Sequence, residues 1–237
     1  MSEVIPWAEF QANFRWGQGE HITMVGRNGC GKTNLALALL QDRNYVVGFG
    51  TKPKDKTLDL LQRNHGWKRI QSIDERPGNT PDASGRVPPK RLLLWPTFRT
   101  IQDADKHGPV FQDALEQLFA EQNWTLFADE IGYITRTLGL QGLAEKWWRQ
   151  GRSIGLSFVT ATQRPAWIPL DAYSEANHLF LWQATDKRNL DRLKEISGPT
   201  DGSDIRGVVR GLNFHKYQVL YVNTTTGYTA VTVPPKL

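Results

Sequence analysis

The chain has 237 residues, 39% of them hydrophobic, with nine tryptophans, which suits one large domain with a substantial core. A net charge of +5 and a pI near 9.3 permit a phosphate-rich partner without requiring one. A single cysteine excludes an intramolecular disulfide framework. The opening MSEVIPWAEF lacks a secretory pattern and no apolar run approaches the roughly 20 residues of a membrane span, so the expectation is a soluble cytoplasmic protein with no membrane contact.

In chain order, the apolar run 21–25 reads as a strand and leads through GRNGCGKT into a helix over 34–43. A strand over 45–50 and a helix over 56–64 follow. The Pro-, Gly- and Ser-rich stretch 72–90 reads as a long loop. A third strand is expected over 91–96. The helix expected over 108–122 places Phe111, Leu115, Leu118 and Phe119 on one face. Next come a strand over 124–130, a helix over 143–155 that ends near Gly155, and strands over 156–162 and 178–183. The segments 186–198 and 204–211 read as helical, and 215–233 as a hairpin. Apolar strands alternating with helices predict an α/β fold with a mainly parallel central sheet, helices on both faces and a C-terminal β-hairpin.

Gly26 to Thr33 fits G-x-x-x-x-G-K-[ST], the phosphate-binding loop. Its glycines let successive backbone N–H groups of Gly26, Arg27, Asn28, Gly29, Cys30 and Gly31 curl around phosphates. Lys32 supplies an ammonium to the β/γ-phosphates and Thr33 a hydroxyl to Mg2+. The helix that starts there, through Asn34, points its positive end at the same place. Cys30 is either a small filler or a thiol whose pKa is lowered by neighbouring amides. The run WTLFADE brings Asp129 to the end of a buried strand, placed to hold Mg2+, with Glu130 beside it to polarise an attacking water. DEIG at 129–132 satisfies a GTPase pattern, but no N/T-K-x-D guanine reader lies downstream, which argues against a regulatory GTPase.

The next strand ends in Gln163, Arg164 and Pro165. In a doubly wound sheet ligands lie beyond the carboxyl ends of the strands, so the Gln163 amide is expected to face the γ-phosphate.

Taken in order, GRNGCGKT, WTLFADE and RQGRSIGLSFVTATQRP resemble the FtsK–HerA superfamily of ring-forming DNA-pumping P-loop ATPases, which have an additional-strand, RecA-like fold. The resemblance covers about 17–198, within a single ATPase domain spanning 1–237. The compact length resembles the small packaging ATPases of tailed phages. It implies that Lys32 and Thr33 bind ATP and Mg2+, that Asp129 is the metal aspartate and Glu130 the general base, and that Gln163 senses the γ-phosphate. It further implies that Arg149 or Arg152 reaches a neighbouring subunit's site as an arginine finger. The implied assembly is a homo-oligomeric ring, pentamer or hexamer, moving double-stranded DNA by sequence-independent backbone contacts, with a portal or nuclease as partner.

Lys52, Lys54 and Lys56 are candidates for those contacts, as are Arg76, Arg86 and Lys90 in the 72–90 loop; a solvated loop is the competing reading. Trp147 and Trp148 read as core or interface anchors. A HerA-like or conjugation-type translocase working with a separate nuclease or secretion partner is the alternative function. A small-molecule P-loop kinase is the remaining enzyme class, and a scaffold that binds nucleotide without turnover the non-enzymatic one.

Overall fold

The computed structural model describes residues 3–78, 90–100, 103–193, 196 and 202–235. The strands are β1 (Val4–Ile5), β2 (Ile22–Val25), β3 (Tyr45–Phe49), β4 (Lys68–Ile70), β5 (Lys90–Leu94), β6 (Thr125–Ala128), β7 (Ser157–Thr162), β8 (His178–Trp182), β9 (Val219–Asn223) and β10 (Thr229–Thr232). The α-helices are α1 (Trp7–Asn13), α2 (Lys32–Leu40), α3 (Lys56–Asn64), α4 (Ala104–Glu121), α5 (Gln141–Gly151), α6 (Asp171–Ser174), α7 (Lys187–Arg192) and α8 (Gly202–Gly211).

The strands form one sheet in the order β1-β10-β9-β8-β2-β7-β6-β3-β5-β4. From β8 to β4 every pairing is parallel, and only β9 runs against its neighbours β8 and β10. The expected mainly parallel sheet and C-terminal hairpin are both present.

Buried parallel strands must be apolar on both faces, and here alternate residues feed two cores. Val47, Leu92, Leu94, Leu126 and Phe158 pack under α4 and α5 against Phe111, Leu115, Leu118, Trp147 and Trp148. Val46, Leu93, Phe127 and Val159 face the other way, toward Phe10 of α1, Leu35 to Leu40 of α2, and Leu58 and Leu61 of α3. The two neighbouring tryptophans of α5 are therefore core residues, each 1% exposed. At about 25 cal/mol per Å2 of apolar surface, each stabilises the fold by several kcal/mol.

Several boundaries differ from the sequence expectation. α4 begins at Ala104 and runs through Gly108 and Pro109, where the sequence suggested a start. The extra turn is held by the buried His107 ring, which lies 4.3 Å from the Phe98 ring and whose Nε2 is 3.1 Å from the Thr97 carbonyl oxygen. The short β1 and β4 and the helix α1 had no periodic signal long enough to read. The 72–90 loop contains a 3-10 turn at Ile73–Glu75, while Arg86 lies outside the described residues. Arg76 is committed to Gln117 and Glu121 on α4, and Lys90 is buried at the start of β5, so neither is a free surface cation. In the expected helix over 186–198, residues 187–192 are helical as α7, and 194, 195 and 197–198 lie outside the described residues.

Candidate functional site

Parallel register brings four strand ends together. Val25 of β2 pairs with Thr162 of β7, Ala128 of β6 pairs with Thr160 of β7, and Phe49 of β3 pairs with Ala128. The residues after those ends, Gly26, Gln163, Asp129 and the Gly50–Lys52 segment, therefore emerge side by side at the carboxyl edge. They border a cleft of about 460 Å3 whose walls include Asn28 to Asn34, Lys52, Asp55, Asp129 and Gln163.

The loop Gly26–Gly31 takes its shape from its glycines. Gly29 and Gly31 have φ of 73° and 100°, a region that costs other residues strain. A Cβ at Gly26 would lie 2.6 Å from Cys30 Sγ and 2.8 Å from Trp182 Cβ. Cys30 is thus a packed filler. Burial pushes its thiol pKa up despite the nearby Lys32 ammonium, which overturns the reading of a lowered pKa.

Lys32 is buried, and its Nζ donates to the carbonyls of Gly26 at 2.7 Å and Arg27 at 3.0 Å. The ammonium is held inside the loop that would wrap phosphate. Thr33 Oγ1 donates to Asp129 Oδ1 at 2.7 Å. A hydroxyl and a carboxylate in contact at a helix N-terminus are hard oxygen donors, and they fit Mg2+, which keeps several of its ligands for water and phosphate. Among the described residues no trio of His, Cys, Asp or Glu forms a metal cage.

Glu130 is half-buried next to Asp129. Burial raises its pKa, while the Thr162 hydroxyl, which donates to Oε1 at 3.3 Å, opposes the shift. Thr162 Oγ1 also accepts from the Arg164 amide at 3.1 Å, so the tip of β7 positions the carboxylate as well as Gln163.

Lys52 reaches this cluster from the loop that follows β3. Its Nζ is 3.0 Å from Asp129 Oδ2 and 3.5 Å from Asp55 Oδ2. Burial disfavours its charge, but the two carboxylates outweigh this and raise its pKa. Trp95 fixes the segment: its Nε1 donates to the Lys52 carbonyl at 2.7 Å, and its ring leaves no room for a Cβ at Gly50. Lys54 and Lys56 are exposed. A strand-end lysine separates from its loop neighbours only once the β3–β6 pairing is known, which is why the sequence grouped all three.

The two arginines of the expected finger lie at the opposite edge of the sheet. A Cβ at Gly19, before β2, would lie 2.8 Å from the Arg152 carbonyl oxygen. The six residues of β7 span about 20 Å, so neither arginine reaches its own cradle. Arg149 is bidentate to Asp171, at 3.0 and 2.9 Å. Arg152 is exposed and makes no side-chain hydrogen bond or ion pair among the described residues.

A second surface was not visible in the sequence. Trp167, 45% exposed, carries the guanidiniums of Arg164 at 4.0 Å and Arg136 at 4.9 Å over its ring, with Arg188 lining the adjoining cleft.

A nucleotide-sized cleft at the carboxyl edge, with β7 inserted between the strand of the phosphate loop and the strand of Asp129 and Glu130, defines the additional-strand, RecA-like P-loop ATPase fold. Solved structures with this fold include the genome packaging NTPase B204 of Sulfolobus turreted icosahedral virus 2. Its sulfate complex matches with a TM-score of 0.60 and 15% identity over 92% of this chain and 97% of that one. Its AMPPCP complex matches at 0.61 with 13% identity, over 92% and 98%. EssC (ATPases 2 and 3) from Geobacillus thermodenitrificans matches at 0.52 with 12% identity, over 94% of this chain and 41% of that one. No family model and no curated protein matches the sequence.

Proposed function

We propose that the chain is a single ATPase domain that hydrolyses ATP with Mg2+ and, assembled as a ring, drives double-stranded DNA as a viral genome packaging motor in the host cytoplasm. The observation that carries the reading is the convergence of Lys32, Thr33, Asp129 and Gln163 on one cleft across strands far apart in sequence, with Glu130 held next to Asp129 by the Thr162 hydroxyl. It is supported by the likeness of fold to B204, which extends over nearly the whole of both chains.

Each side chain has a distinct task. Lys32 exchanges its carbonyl partners for the β/γ-phosphates. Thr33 and Asp129 would hold Mg2+, which neutralises charge on the transferred phosphoryl group. Glu130 accepts the proton of the attacking water, and its half-buried setting keeps the carboxylate poised to do so. Gln163 hydrogen-bonds the γ-phosphate or that water and reports its presence to β7. Arg152, free and exposed, is the better placed of the two arginines to enter a neighbouring copy's site. Lys54, Lys56 and the Arg136–Arg164–Arg188 surface supply contacts to the DNA backbone.

The test is steady-state ATP hydrolysis across a protein concentration series, with and without long double-stranded DNA. Turnover per chain that rises steeply with concentration and with DNA, and is lost in Lys32→Ala, is the expected result. Turnover linear in protein and indifferent to DNA would remove the motor and favour a small-molecule kinase.

A further inference from the structure

Beyond the phosphate loop, Asp129 and Gln163, the cleft is walled by Tyr217, Pro234 and Pro235. Topology explains why residues so far from the loop arrive there. β9 is antiparallel to β8 and β10 is antiparallel to β9, with Trp182 paired to Val219 and Val219 to Thr232. The residues just before β9 and just after β10 therefore both lie at the carboxyl edge, beside the loop.

The approach to the loop is close. The Tyr217 ring comes within 3.9 Å of where a Cβ on Gly31 would sit, and Arg27 lies 4.9 Å over the Phe214 ring. Tyr217 has φ 56°, a left-handed conformation rare for a bulky residue, closing a 3-10 turn at Phe214–Lys216. The strained backbone presents a half-buried aromatic ring to the cleft rather than to solvent.

We propose that the hairpin supplies the base subsite: Tyr217, Pro234 and Pro235 receive the purine ring of the nucleotide whose phosphates the loop holds. The proposal rests on the nucleotide reading above. Flat apolar faces beside a phosphate cradle suit a heteroaromatic ring, which stacks on tyrosine and packs against proline without needing a hydrogen-bond partner for each edge.

The test is calorimetric titration of the full chain with ATP and, separately, with tripolyphosphate, both with Mg2+, for the wild type, Tyr217→Phe and Tyr217→Gly. Glycine suits φ 56°, so Tyr217→Gly removes the ring without straining the turn. The wild type should bind ATP more tightly than tripolyphosphate. Tyr217→Gly should weaken ATP binding by about ten- to a hundredfold and leave tripolyphosphate unchanged. Tyr217→Phe should behave as wild type. ATP binding unaffected in Tyr217→Gly, or ATP and tripolyphosphate weakened in the same proportion, would overturn the base subsite. Equal affinity of the wild type for the two ligands would also overturn it, while the cradle reading stands. A wild type that binds neither would overturn the nucleotide reading and the subsite together.

Discussion

At the scale of single residues, the site sets two carboxylates to different work. Asp129 is held by a hydroxyl and an ammonium, whereas Glu130 is half-buried with its pKa raised by burial. In its proposed role as general base Glu130 must be ionised, so turnover should fall on acidification through a pKa above the ordinary glutamate value of about 4.3. A pH–rate profile of the wild type checks this. Glu130→Gln should lose turnover by on the order of a thousandfold and lose the acid limb with it. An acid limb below the ordinary glutamate range would contradict the assignment.

Lys52 gives a second contrast at this scale. Because its ammonium sits on Asp129, the proposed metal ligand, Lys52→Ala should cut DNA-free turnover by on the order of a hundredfold and leave DNA affinity unchanged. Lys54→Ala and Lys56→Ala, on the exposed side of the same segment, should weaken DNA binding and reduce its salt dependence with DNA-free turnover intact. Filter binding across a salt series, beside a turnover assay, separates the two classes. The phosphate loop and the acidic pair were legible in the sequence because their chemistry is local: each is a short run whose spacing alone sets the geometry. Lys52 and Tyr217 were not, since each joins the cleft through strand pairing.

At the scale of elements, Arg149 in the last turn of α5 and Arg152 in the 3-10 turn that follows it have different surroundings. Arg149 spans from α5 to α6 through Asp171, whose side chain is only 12% exposed. Removing the cation strands a partly buried carboxylate, so Arg149→Ala should lower Tm by a few degrees. Arg152 has no such partner, so Arg152→Ala should leave Tm and ATP affinity intact and cut turnover by about a thousandfold if the neighbouring copy's site depends on it. Thermal melts and ATP titrations of both variants, set beside turnover, decide which arginine is structural. Strands of five or six apolar residues and the Leu- and Trp-bearing faces of α4 and α5 were legible because they repeat a period. The two-residue β1 and the three-residue β4 lie below the length at which a period can be counted, and Gly108 and Pro109 hid the first turn of α4.

At the scale of the whole molecule, buried histidines make the fold sensitive to acid. His21, before β2, accepts the Phe158 amide on Nδ1 and reaches the Trp148 carbonyl through Nε2 at 3.0 Å, so the neutral ring ties β2, β7 and α5 together. Burial brings its pKa down from 6.5 to about 4, and burial lowers that of His178 as well. A folded pKa below the unfolded one means that the unfolded chain binds more protons in between. The stabilisation is complete above about pH 6.5 and is lost as pH falls toward about 4, on the order of 3 kcal/mol for His21. Urea midpoints measured across that window should fall with pH, and less steeply in His21→Gln. A flat series would show that His21 is not held neutral.

The pairing of β1 with β10 carries a consequence for how the molecule is made. Thr232 Oγ1 donates to the Ile5 carbonyl across 227 positions of sequence. On the ribosome, Val4 and Ile5 emerge well ahead of their partner strand and must wait, unpaired, until Thr229–Thr232 have cleared the exit tunnel. β3, β4 and β5 can pair before β6 and β7 join them to β2, and the last seam closes with the hairpin that brings Tyr217, Pro234 and Pro235 to the cleft. A nascent chain therefore acquires its phosphate loop before the hairpin residues that complete the cleft wall, so that nucleotide affinity should mature only once the hairpin has emerged.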